Sequence, residues 1–130
     1  MWNEQTTVRE VMSSSPITIS GELSLDDARQ RMHDHQIRHL PVFDGGHLVG
    51  LVSQRDLGVI GSIPGVNPSK LAVREAMSSK PYTVSPDDKL GGVVEMMASR
   101  KIGAAVVTEG GAVVGMFTTI DALHTLHRML

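Results

Sequence analysis

The sequence predicts a mixed α/β (α+β) fold made from two copies of one β-α-β-β-α unit, related as a pseudo-twofold pair. Three observations carry that reading. A fifty-residue stretch is written twice, with Val8 to Leu57 aligning to Val73 to Ala122 at an offset of 65 residues without a gap. Each copy alternates extended apolar runs with apolar residues at helical spacing, in the same order. Each also sets a Gly-Gly turn between two such runs. A unit this short buries too little surface to be stable alone, so the two copies are expected to complete one module, with function in the clefts between them.

The elements follow in order. Thr7 and Glu10 have capping-box spacing, which predicts a helical start running through Met12. Pro16 and Pro81 then hold the chain extended into I-T-I and Y-T-V. A helix should open near Ser24, with Leu25, Ala28 and Met32 on one face; Leu90, Val93, Val94 and Met97 form the matching stripe. The runs L-P-V-F and A-V-V-T read as strands covered on both faces. D-G-G and E-G-G supply positive-φ residues that reverse the chain into H-L-V-G-L-V and A-V-V-G-M-F. Ser53 and Thr118 stand where strand gives way to helix. Residues 61–70, G-S-I-P-G-V-N-P-S-K, read as a linker between a first repeat at 7–60 and a second at 71–130 that ends in a helix.

Composition narrows the function classes. The chain has 130 residues, 41% of them hydrophobic, and a net charge of −2 with interspersed signs, so no broad basic face is expected and nucleic acid is not an expected partner. It contains no cysteine, which removes disulfides, thiolate metal sites and thiol nucleophiles. No stretch approaches the roughly 20 apolar residues that span a bilayer, and the first residues lack a signal-peptide pattern. A soluble, cytoplasmic protein is the expectation.

V-R-E-x-M at the start of each copy, R-H-L-P-V in the middle and G-L-V-S-Q-R-D at the end resemble the cystathionine-β-synthase-like (CBS) domain. Two in tandem resemble the CBS pair, or Bateman module. The short G-h-x-S/T-x-x-D pattern is common by itself; it gains weight by occurring twice in register with the other repeated signals. The resemblance covers roughly residues 7–123 and leaves no room for a catalytic domain. It implies a stand-alone regulatory module that binds adenosine-containing ligands, of the AMP, ADP or ATP class or else NAD(H) or S-adenosylmethionine, between the repeats. It further implies a homodimer through helical faces and an unidentified regulated protein as partner. No cofactor is required beyond the adenine nucleotide acting as regulatory ligand, no metal is implied, and the protein is not expected to be an enzyme.

The chemistry of the repeated residues agrees with that implication. An ionised carboxylate is an acceptor-only group able to take both hydroxyls of a ribose, which suits Asp56 and Asp121. Ser53 and Thr118, three residues earlier, put a hydroxyl at a helix N-terminus, where anions bind. By the resemblance, adenine lies against the other repeat's first strand, pairing Asp56 with Tyr82 and Thr83, and Asp121 with Ile17 and Thr18. The plainer alternative is that each Asp is only a cap, worth about 1 kcal/mol. Gly50 and Gly115 have two compatible readings, relief of backbone crowding and admission of a ligand to the strand.

The copies differ in charge. Arg38 and Arg55 in the first copy are matched by Gly103 and Ile120 at the corresponding positions of the second, so the cleft around Asp56 is expected to be the better phosphate site. His39 beside Arg38 reads chiefly as a packing residue. His33 and His35 do not share a helix face, and His124 and His127 have no carboxylate or cysteine company, so no zinc site is read. The matched methionines Met12 with Met77 and Met32 with Met97 read as core filling. No catalytic triad, carboxylate pair or P-loop is present. Val94 and Met96, beside the core stripe, are the apolar positions expected to serve a dimer. A ligand-free oligomerisation scaffold is the alternative to ligand binding.

Overall fold

The structure, a computed structural model, describes residues 3–130. Its described residues form four α-helices and two β-sheets, the mixed α/β class read from the sequence. The chain order is β1 (Ser13–Ser14), β2 (Ile19–Ser20), α1 (Leu25–His35), β3 (His39–Asp44), β4 (His47–Ser53), α2 (Gln54–Gly61), β5 (Thr83–Val84), α3 (Leu90–Arg100), β6 (Ala104–Glu109), β7 (Ala112–Thr118) and α4 (Thr119–Met129). Single 3₁₀ turns at Val8–Glu10 and Val73–Glu75 open the two copies.

Two compact units result: Ile17–Pro81 is one, and the chain up to Pro16 together with Tyr82–Leu130 is the other. The boundaries of packing are therefore not those of sequence similarity. The opening segment of each copy packs with the body of the other copy.

In the 17–81 unit, β2 lies parallel to β3, and β3 is antiparallel to β4. Its core joins Leu25, Ala28 and Met32 of α1 to Leu40, Val42 and Val52 of the sheet and Leu57 of α2. Val73, from the opening of the second copy, is buried in that same core. In the other unit, β5 is parallel to β6, β6 is antiparallel to β7, and β1 adds along the far edge of β7. Here Val8 and Val11 come from the opening of the first copy and pack with Val93, Met97, Val107 and Phe117.

Three devices hold each opening segment. The backbone of Ser78 exchanges two 2.9 Å hydrogen bonds with Leu51, and Ser13 pairs with Met116 at the equivalent register. Gly50 and Gly115 make this approach feasible. A Cβ on Gly50 would stand 2.5 Å from the Ser78 carbonyl and 2.6 Å from Met77 Sδ; one on Gly115 would stand 2.8 Å from the Ser13 carbonyl and 2.7 Å from Met12 Sδ. Of the two readings of these glycines, crowding relief is what the packing requires. Third, Arg74 sits 3.6 Å from Glu22 and 3.8 Å from Asp44, while Arg9 sits 3.4 Å from Asp87 and 2.9 Å from Glu109. These pairs occupy equivalent positions, are largely exposed, and serve register more than stability.

Local sequence signals account for the rest. Ser24 caps α1 by accepting from the Asp27 amide at 3.1 Å, and Asp27 returns the bond by accepting from Ser24 N at 3.0 Å. Both hairpins turn on successive positive-φ glycines, Gly45 with Gly46 and Gly110 with Gly111. The predicted helical start through Met12 is shorter than expected. Glu10 does accept from Thr7 N at 2.7 Å, but the amides of Val8 and Arg9 bond to the carbonyls of Asp88 and Pro86, and the chain leaves the turn for β1.

Candidate functional site

The repeated strand-to-helix junctions are built alike. Ser53 is the N-cap of α2, and its hydroxyl accepts from Asp56 N at 3.0 Å while Asp56 Oδ2 accepts from Ser53 N at 2.9 Å. Thr118 caps α4 in the same way, with Asp121 N at 3.3 Å from its hydroxyl and Asp121 Oδ2 accepting from Thr118 N at 2.9 Å. Each reciprocal pair satisfies amides that a helix start would leave without partners. Capping uses only one oxygen of each carboxylate. Both Asp side chains stay half-buried, so the second oxygen is open to other donors.

That second oxygen is where the units differ. Asp121 Oδ1 accepts a 2.9 Å hydrogen bond from the Ser13 hydroxyl. Ser78 occupies the equivalent place in the other unit, yet no hydrogen bond from it to Asp56 occurs among the described residues. A serine hydroxyl on a carboxylate reproduces the contact a ribose hydroxyl makes.

Ile17, Thr18, Arg38, Ser53, Arg55 and Asp56 fall in one unit, and Tyr82, Thr83, Thr118 and Asp121 in the other. The chain leading into β2 and the chain leading into β5 are chemically unequal. The Tyr82 carbonyl accepts from Val106 N at 2.8 Å, but the residue equivalent to Val106 is Pro41, which has no N–H to give to Ile17. The next carbonyl, that of Thr18, accepts instead from Arg31 Nη1 at 2.8 Å. Arg31 was not anticipated from sequence; its partner is a backbone carbonyl, which leaves no side-chain signature.

Arg55 is exposed in the first turn of α2. Arg38 lines a groove of about 1070 Å³ between α1 and α2, beside Arg29, Gln36, Gln54 and Gly58, whereas Ser53 and Asp56 are not among that groove's lining residues. His39 pairs across the hairpin with Ser53. Burial lowers the pKa of its imidazole, Asp56 pulls it back up, and Arg38 lowers it further. Burial also raises the Tyr82 phenol, as does Asp88, against an opposing pull from Arg100.

Among the described residues, no group of three His, Asp or Glu side chains gathers as a metal site would require, and no helix is long and apolar enough to cross a membrane. Large apolar side chains stand exposed at Ile120, Leu123, Leu126 and Met129 along α4, at Leu130 after it, and at Val59 and Ile63, all more than Val94 of α3.

Known proteins share this architecture. The family model for the CBS domain matches residues 8–57 and 73–128. Inosine-5'-monophosphate dehydrogenase of Korarchaeum cryptofilum (strain OPF8) is 35% identical over 109 residues, covering 83% of this chain and 22% of that protein. CBS domain-containing protein YhcV of Bacillus subtilis (strain 168) is 49% identical over 55 residues, 42% of this chain and 39% of that protein. The chain thus spans about a fifth to two fifths of the length of these relatives. Among solved structures, a Vibrio cholerae protein described as an acetoin utilization protein superposes with a TM-score of 0.86 at 28% identity, over 96% of this chain and 93% of its own. A CBS domain pair in complex with 5'-methylthioadenosine and S-adenosyl-L-methionine superposes with a TM-score of 0.86 at 26% identity, over 96% and 98% of the two chains.

Proposed function

Because the chain belongs to the CBS domain family, we propose that it is a regulatory ligand-binding module whose ligands contain adenosine and whose ribose acceptors are Asp56 and Asp121. One observation carries the reading: each Asp spends one carboxylate oxygen on its helix cap, and in one unit the other oxygen already holds a hydroxyl. An adenosine ligand replaces that hydroxyl with its own. The similar CBS pair bound to 5'-methylthioadenosine and S-adenosyl-L-methionine supports the adenosine class. Ser53 and Thr118 hold the carboxylates in place, Arg55 adds a donor beside Asp56, and Ile17, Thr18, Tyr82 and Thr83 supply backbone for the base. Arg38 keeps a part only if its side chain leaves the α1–α2 groove. Catalysis forms no part of this reading, and the dehydrogenase activity of the archaeal relative is not carried over.

Titration calorimetry with adenosine, AMP, ATP and S-adenosylmethionine tests it on protein stripped of carried-over ligand. Binding that drops about tenfold or more in Asp56→Ala or Asp121→Ala is the expected result, since a hydrogen bond to a charged group contributes about 1.5–3 kcal/mol. No heat and no thermal shift with the whole panel overturns the reading.

Self-association is a second part of the proposal, favoured by the exposed row Ile120, Leu123, Leu126 and Met129 on α4. A homodimer would remove that row from water. The regulated partner protein is the recipient of whatever shape change the ligand produces.

A further inference from the structure

Carried along the last helices of the two copies, which start at Gln54 and Thr119, the 65-residue offset matches Leu123 to Gly58 and Leu126 to Gly61. In the preceding helices it matches Val94 to Arg29. One unit therefore presents bulky apolar side chains where the other presents glycine and a cation. Leu123 and Leu126 are 60% and 49% exposed, and at a spacing of i, i+3 they are neighbours on the α4 surface. On α2, a Cβ added at Gly58 would meet nothing within 4 Å.

The open space at Gly58 belongs to the groove of about 1070 Å³ between α1 and α2, whose apolar lining is Met32, Ile37 and Leu57. The groove lies wholly within the 17–81 unit, and α4 wholly within the other. A leucine entering at Gly58 would exchange water for that apolar lining. Charge and shape together select which face supplies it. Two copies of the groove face would oppose Arg29 and Arg38 to themselves, and Asp26, 3.6 Å from Arg29, offsets only one of the two. Two α4 faces would set leucine on leucine and leave both grooves in water. Unlike faces avoid both outcomes, and the exposed Glu95, which matches the groove-lining Gln30, adds a carboxylate for the arginines.

We infer that α4 of one copy seats in the α1–α2 groove of a second copy, with Leu123 entering at Gly58. This rests on the self-association proposed for the α4 row and names the surface that receives it. The divergence of the two copies then has a use: one repeat carries the knob and the other the hole.

The chain has no cysteine, so introduced thiols report the contact without background. Leu123→Cys and Gly58→Cys variants of the full chain are mixed under mild oxidation by glutathione disulfide, and the linked peptides are identified by mass spectrometry. A disulfide needs Cα atoms within about 7 Å, so the link between positions 123 and 58 is expected to dominate over 123 with 123 and 58 with 58. Gly58→Leu, which fills the entrance to the groove, is expected to weaken self-association about tenfold in sedimentation velocity without lowering the urea midpoint, since leucine is the better helix former. A dimeric mixture in which another link dominates or none forms, or a Gly58→Leu dimer as tight as wild type, overturns the inference and leaves self-association standing. A wild-type chain that stays monomeric ends both.

Discussion

The Ser13 hydroxyl lies 2.9 Å from Asp121 Oδ1, in a bond between residues 108 positions apart in the chain. A ligand that needs both oxygens of Asp121 must displace it, so the opening segment competes with ribose. Ser13→Ala removes the competitor and is expected to tighten ligands at the Asp121 site by about two- to tenfold, the range of a modest net hydrogen bond. Ser78→Ala, its counterpart, is expected to change nothing at Asp56. Calorimetry on both variants checks the contrast; equal effects would remove Ser13 from the account.

Gly50 and Gly115 are expected to tolerate no side chain. Gly50→Ala drives a Cβ to 2.5 Å from the Ser78 carbonyl, and backbone cannot swing aside as a side-chain tip can. A loss of about 1–3 kcal/mol in urea unfolding is expected for either glycine. Gly91→Ala is the control. It meets open space in the first turn of α3, where φ is not positive, and is expected to stabilise by about 0.5–1 kcal/mol. A neutral Gly50→Ala would contradict the packing described for the opening segments.

His39 sets an acid limit on stability. Its folded pKa lies below the ordinary 6.5, chiefly through burial, so the unfolded chain takes up the proton first as pH falls. The contribution is fully present above about pH 6.5 and is lost as pH drops through the lower folded value. His39→Ala, which copies the Ala104 of the other unit, is expected to flatten the decline in unfolding free energy between pH 7 and pH 5. An unchanged slope in denaturant titrations at the two pH values would rule out this residue as the cause.

The α4 face gives a prediction independent of any ligand. Leu123 is 60% exposed, and Leu123→Glu is expected to leave folding intact while shifting sedimentation velocity toward monomer. A wild-type protein that stays monomeric near 14 kDa at high concentration would end the dimer proposal.

Much of this was legible in the sequence where the signal is local. Ser24, Ser53 and Thr118 announce helix starts because capping is a matter of four consecutive residues, and the Gly-Gly turns announce hairpins because only glycine takes two positive-φ positions cheaply. The exchange of opening segments was not legible. V-R-E-V-M-S-S and V-R-E-A-M-S-S are near copies, so either could fit either body, and nothing local says which. The same limit hid the Ser13 bond to Asp121. Arg38 illustrates a different gap: its position beside β3 was clear, but the groove it lines is made by α1 and α2, elements brought together only by the tertiary fold.

The exchange also fixes an order of events. A chain emerging in the amino-to-carboxyl direction can complete the 17–81 unit, Val73 included, once Pro81 is out. Val8 and Val11 cannot be covered then, because Val93, Met97 and Phe117 have yet to be made. The segment carrying Val8 and Val11 is thus made before the core that covers it, and its two valines stay in water through that interval.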